Sequence, residues 1–295
     1  MTAITANGIT LEYDDAGDPS APVVLLIMGL GAQMTLWPVE LVDALIARGF
    51  RVIRFDNRDI GLSTKFDRAG LPDLAQLMMA MMSGRVFSPP YTLGDMAADA
   101  VALLDALSVP AAHIVGASMG GMIAQLVAAE HPARARSLVS IMSTTGNPSL
   151  PPARAEALTV LTGRPMTADR DTLVAHGIRT AQVIGSPAYP PDPDRLRARV
   201  EREVDRSVSP AGAMRQMAAV LADGDRRERL RRITAPTTVI HGDADPLVPV
   251  EGGRDTAAVI SGAELVILSG MGHDLPLPLI DTIADTIAAT AARAR

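Results

Sequence analysis

Two hydrophobic signatures alternate along this chain. Residues 23–27, Val-Val-Leu-Leu-Ile, are apolar at every position, as a strand covered on both faces must be. Short segments at 9–13, 51–55, 112–115, 137–142, 237–241 and 264–268 also have the length and composition of strands, and a polar turn, Asp14 to Pro19, separates 9–13 from 23–27. Between them apolar residues recur at helical spacing. A helix is expected over 37–47, stopped at Arg48-Gly49, and another runs from the capping-box-like Thr92-Leu93-Gly94-Asp95 to residue 107. A third carries Met122, Ile123, Leu126 and Val127, and a last one presents Ile280, Ile283 and Ile287 on one face. Strand and helix in this rhythm predict an α/β fold with a mostly parallel sheet and right-handed crossovers.

The rhythm stops over residues 144–232. Proline breaks at Pro148, Pro151-Pro152, Pro187 and Pro190 to Pro193 separate polar, arginine-rich helical stretches. An excursion of this size predicts a helical cap over the carboxyl edge of the sheet, with the core at 1–143 and 233–295. Residues 153–232 hold fifteen arginines against eleven acids, a mild positive excess that would favour anionic substrates. Arg226-Arg227-Glu228-Arg229 and Arg231-Arg232 are expected to form a solvated helical face. A second extra segment, 71–91, contains Leu77-Met78-Met79-Ala80-Met81-Met82; such a run suits core filling under a loop, or the lining of an adaptable acyl pocket.

Composition narrows the class. The 295 residues suffice for one α/β domain with an insertion, and 48% hydrophobic content can bury a full core. Cysteine is absent, which rules out disulfides and thiolate nucleophiles and suits a reducing compartment. A net charge of −6 argues against nucleic-acid or anionic-membrane partners. The N-terminus lacks the basic start and apolar run of a signal peptide, and the longest apolar run, 21–32, is interrupted by glycines, so a cytoplasmic protein that does not span a membrane is expected.

The candidate chemistry sits at strand ends. Gly116-Ala117-Ser118-Met119-Gly120 lies between a predicted strand and a predicted helix, where the chain must reverse within a few residues and only small neighbours fit. Such a turn lifts the Ser118 hydroxyl above the amides of a helix N-terminus. Alone, the pattern also fits a structural turn whose serine caps a helix. His241-Gly242-Asp243-Ala244-Asp245 ends another strand, and Gly270-Met271-Gly272-His273 follows the last. A metal reading of His241, Asp243 and Asp245 is disfavoured because three residues on one turn rarely converge on one ion. His113, His131 and His176 lie in a strand, at a helix end and in the excursion, and none competes with His273 as a base.

These motifs, in the order serine, acid, histidine, resemble the α/β-hydrolase family, with Gly116 to Gly120 as its nucleophile elbow and Gly242 to Asp245 as its G-x-x-D acid turn. Asp56 to Ser63 is similar to the family's D-x-R-G-x-G-x-S loop, with Asp59 where glycine is common; Asp56 and Asp59 are expected to support the neighbouring loop structurally. Within the family the Leu-Ile-Met-Gly opening, the Phe-Asp-Asn-Arg-Asp-Ile-Gly-Leu-Ser loop and Gly-Ala-Ser-Met-Gly-Gly most resemble the capped aclacinomycin methylesterase-like hydrolases. The resemblance implies an eight-stranded sheet with helices on both faces and a Ser118–His273–Asp245 triad, Asp243 being the second choice of acid. It also implies an oxyanion hole from the Leu30 and Met119 amides, although Met28 stands where the family's strand end usually has histidine. The implied activity is carboxylic ester hydrolysis of a small-molecule substrate through an acyl-enzyme, with no cofactor or metal. Lactone hydrolysis, carbon–carbon bond hydrolysis and haloperoxidase-like perhydrolysis use the same triad, as do amide and thioester hydrolysis, and a non-catalytic small-ligand receptor shares the fold; the oligomeric state stays open.

Overall fold

The structure is a computed structural model that describes residues 1–73, 79, 88–167 and 169–294. Eight strands form one sheet in the order β1-β2-β4-β3-β5-β6-β7-β8. They are β1 (Thr2–Ala6), β2 (Ile9–Ala16), β3 (Val23–Ile27), β4 (Arg51–Phe55), β5 (Ala112–Ala117), β6 (Ala135–Ile141), β7 (Thr237–Gly242) and β8 (Glu264–Leu268). The first two pair antiparallel and join β4 antiparallel, while β4, β3, β5, β6, β7 and β8 run parallel. β1 was not among the expected strands. Asn7 and Gly8 both take positive φ, 49° and 73°, the two-residue turn that closes this hairpin.

The side-chain period of two explains why β3 is apolar throughout. Val23, Leu25 and Ile27 join one core with the helices α2 (Leu93–Ala106) and α3 (Met119–Glu130). Val24 and Leu26 join the opposite core, with α1 (Val39–Ala47) and α9 (Ile280–Ala292), whose Ile280, Ile283 and Ile287 are buried there. Thr92 and Asp95 form the expected capping box at the start of α2, each side chain accepting from the other's backbone N–H.

His113 is buried in β5, its Nδ1 2.9 Å from Ser137 Oγ and its ring edge-on to Phe50. Burial lowers its pKa to about 4 from an ordinary 6.5. The unfolded imidazole therefore takes up a proton before the folded one does, so the contribution is complete above pH 6.5 and is lost as pH falls through 4. Chemical denaturation between pH 7 and 4 should show a loss of roughly 2–3 kcal/mol from this group, and His113→Asn should remove that part of the slope.

Residues 144–232 contain α4 (Ala155–Thr162), α5 (Arg170–Ile184), α6 (Pro193–Arg206), α7 (Pro210–Asp223) and α8 (Arg227–Leu230). A small core of Val174, Leu196 and Val200 joins α5 to α6. The later helices pack downward: Ala219 and Leu230 belong to the core beneath the sheet. Of the methionine-rich run at 77–82 only Met79 is described, in a helical conformation and exposed; the other five residues lie outside the described set. The expectation of a solvated face at Arg226 is overturned. Arg226 is 1% exposed because its guanidinium turns inward to pair with Asp223 at 2.7 Å and to donate to the Thr144 carbonyl at 2.7 Å, at the neck where the two crossings of the chain meet. Among the described residues, no helix is long and apolar enough to cross a membrane.

Candidate active site

The elbow forms because its neighbours have no room for side chains. A Cβ on Gly116 would stand 2.0 Å from the Gly120 carbonyl oxygen, and one on Gly120 would stand 2.0 Å from that of Ile27. Ser118, between them, is held at φ 57° and ψ −121°, a strained conformation for a residue with a side chain. Its amide donates to the Ile141 carbonyl at 2.9 Å, and Ser143 Oγ donates to its carbonyl at 2.8 Å, which fixes the turn from β6. α3 starts at Met119, so the first amide of that helix, which has no partner within the helix, lies directly after the serine.

The ends of β5, β7 and β8 bring three distant side chains together. Ser118 Oγ lies 2.9 Å from His273 Nε2, and His273 Nδ1 lies 2.7 Å from Asp245 Oδ2. The other oxygen, Asp245 Oδ1, accepts from the Leu247 and Val248 amides at 2.8 Å each, so the carboxylate is fully hydrogen-bonded and oriented. Asp243 is placed elsewhere. Its Oδ1 accepts from the Gly270 amide at 2.6 Å and ties the acid turn to the histidine turn. His241 sits behind Asp245, its Nε2 2.8 Å from the Val248 carbonyl, and burial holds its pKa below the ordinary range. His241 Nε2 stands 3.7 Å from Asp245 Oδ2, while Asp243 turns away to the Gly270 amide.

Leu30 lies on the loop after β3, walled against the elbow: a Cβ on Gly29 would be 3.1 Å from Ser118 Cβ. The loop is held from beneath, as expected of the Asp56 segment. Asn57 Nδ2 donates to the Met28 carbonyl at 2.8 Å, and the Asp56 carboxylate accepts from the Met34 and Leu62 amides at 2.8 and 2.9 Å. It is also held from above, which sequence reasoning missed. Gln216 of α7, 0% exposed, accepts from the Gly31 amide at 2.8 Å and donates to the Arg58 carbonyl at 2.9 Å. Asp59 takes φ 74°, the left-handed region that explains why glycine suits this position. Its carboxylate makes two bonds with Arg215 of α7, at 2.7 and 2.6 Å, and accepts from Tyr91 Oη at 2.7 Å.

A second contact from the excursion holds the histidine turn. The His273 amide donates to the Ile184 carbonyl at 2.7 Å and the Gly272 amide to Ser186 Oγ at 2.8 Å, while Ser186 Oγ donates to Asp274. Burial raises the Asp274 carboxyl above its usual range. A single sequence carries no signal for these pairs, since Ser186 and Asp274 stand 88 residues apart.

Comparison with known proteins agrees with this architecture. The alpha/beta hydrolase fold family matches residues 22–277. Rhodomycin D methylesterase DnrP of Streptomyces peucetius is 30% identical over 97% of this chain and 96% of its own length. A 2-hydroxy-6-oxononadienedioate/2-hydroxy-6-oxononatrienedioate hydrolase of Paraburkholderia xenovorans is 30% identical over 90% of this chain and 84% of its own. The enol-lactonase of Burkholderia xenovorans LB400 superposes with a TM-score of 0.73 at 22% identity, covering 99% of this chain and all of that one. The chain belongs to the alpha/beta hydrolase fold family.

Proposed function

We propose that this protein hydrolyses carboxylic esters through an acyl-enzyme, with Ser118 as nucleophile, His273 as general base and acid, and Asp245 as the orienting carboxylate. The observation that carries the reading is the unbroken path from Ser118 Oγ through His273 to Asp245, at 2.9 and 2.7 Å. A serine hydroxyl attacks a carbonyl only when its proton is taken as it does so. His273 Nε2 accepts that proton, and Asp245 keeps the other ring nitrogen protonated and stabilises the imidazolium. The tetrahedral oxyanion is received by the Leu30 and Met119 amides. Collapse expels the alkoxide, which takes the proton from His273 and leaves as alcohol. Water then attacks the acyl-enzyme, giving its proton to His273, which passes it to Ser118 Oγ as the tetrahedral intermediate collapses and the acid is released.

The similarity to a rhodomycin D methylesterase along nearly the whole chain favours an ester, a methyl ester among them, as the substrate. Residues 144–232 act as the cap that shapes the pocket over these groups. Two measurements test the reading. A fluorophosphonate probe should label the protein stoichiometrically, and labelling should vanish in Ser118→Ala; a folded protein left unlabelled would point to a receptor instead. A panel of nitrophenyl esters, methyl esters, lactones and vinylogous diketones should show its highest kcat/KM on an ester. Highest turnover of a diketone would move the assignment to carbon–carbon bond hydrolysis, the reaction class favoured by the similarity to the P. xenovorans hydrolase.

A further inference from the structure

The loop that carries the Leu30 amide touches a charge that no catalytic step above uses. Arg164, between α4 and α5, reaches down from the cap so that its Nη1 lies 3.2 Å from the Gly31 carbonyl. Gly31 makes this approach possible: a Cβ there would meet the same nitrogen at 2.6 Å. The Gly31 carbonyl takes one of the five N–H donors of the guanidinium, and among the described residues no carboxylate lies within 4 Å of it. Its surroundings disfavour the charge, since burial pulls the guanidinium below its usual range and only the field of Glu203 opposes that. Glu203, on α6, stays beyond ion-pair distance, and its Oε1 is enclosed without a hydrogen-bond partner. Burial raises that carboxyl to about 7. Two half-buried groups of opposite type therefore stand beside the reactive loop, near enough to feel one another and not joined.

A guanidinium half withdrawn from water with no carboxylate beside it is held at a cost. Arg215 and Arg226, each 1% exposed, hold an aspartate at bonding distance, so this fold supplies partners where a charge is structural. We infer that Arg164 is a specificity-determining residue which receives a carboxylate carried by the substrate away from the scissile ester, in a subsite walled by Gly31 and Glu203. The inference rests on the ester-hydrolase reading and names the class of ester: the half-ester of a dicarboxylic acid. A planar guanidinium suits such a group because two parallel N–H donors can meet both its oxygens.

Monomethyl adipate and methyl hexanoate differ only in a terminal carboxylate against a methyl, and they test the assignment. The wild-type protein should show a KM for the anionic ester at least ~10-fold below that for the neutral one, as expected of charge-assisted hydrogen bonds. Arg164→Gln should erase that ratio, and Arg164→Lys should retain part of it because the charge remains. Glu203→Gln, which removes a negative field from the subsite, should widen it, and this variant serves where a substitution at Arg164 does not fold. Calorimetric titration of Ser118→Ala with the same two esters reads the preference without turnover. Preserved preference for the anion with no hydrolysis by the wild type would overturn the esterase reading and leave the subsite standing. Equal affinity for the two esters, or a ratio unmoved by Arg164→Gln, would overturn the subsite.

Discussion

Ser118→Ala is expected to lower ester turnover by about four to six orders of magnitude while leaving the melting midpoint unchanged or raised. The size follows from the geometry, because the Ser118 hydroxyl stands 2.9 Å from His273 Nε2 at the tip of the elbow. The stability expectation follows from the backbone. Alanine needs the same φ of 57° and loses no hydrogen bond that supports the turn, since Ile141 and Ser143 hold the main chain of this residue and not its side chain. His273→Ala should cost a similar factor, and the double variant little more than either alone, because nucleophile and base act as one unit. Steady-state kinetics on the preferred ester, with circular dichroism to confirm folding, would decide the point; a His273→Ala protein with near-normal turnover would remove that residue from the mechanism.

The second large effect concerns stability. Asp59 and Arg215 are 0% and 1% exposed, so removing Arg215 leaves the buried Asp59 carboxylate without its ion-pair partner. Arg215→Met should destabilise the fold by about 3–5 kcal/mol, on the order of 10 °C in melting midpoint for a chain of this size. Asp59→Gly in that background should recover part of the loss. It removes the stranded carboxylate and places at φ 74° the one residue that adopts it without strain. The pair is in direct contact, so the two changes should be strongly non-additive. A double variant that loses the sum of the two single effects would show that the ion pair contributes nothing to holding α7 on the core.

Local patterns were enough to find most of this architecture. β3, β4 and β8 lie where apolar runs place them, and Thr92 and Asp95 make the cap their spacing implies. The elbow was legible because strand, small residues and helix are contiguous. β1 escaped because Thr2–Ala6 is an exposed edge with little apolar content, although Asn7-Gly8 is a hairpin signal in its own right. Arg226 was misread because a run of arginines carries no mark of which one turns inward; its role depends on Asp223 and Thr144 meeting at the neck. The same holds for Gln216 and Arg164. Each acts on Gly31 from at least 133 residues away, and nothing in the sequence near either position records that contact.

The neck around Arg226 also has a meaning for descent. Outgoing and returning chain meet there, with the Arg226 amide donating to the Thr145 carbonyl at 2.8 Å while the side chain spans Asp223 and Thr144. A single clasp at both crossings makes the segment between them a transplantable unit, provided that α7 stays behind with its grip on Asp59 and Gly31. Exchange of the helices between residues 147 and 209 would also remove Ile184 and Ser186, so an incoming segment has to bring its own acceptors for the His273 and Gly272 amides while the sheet stays unchanged.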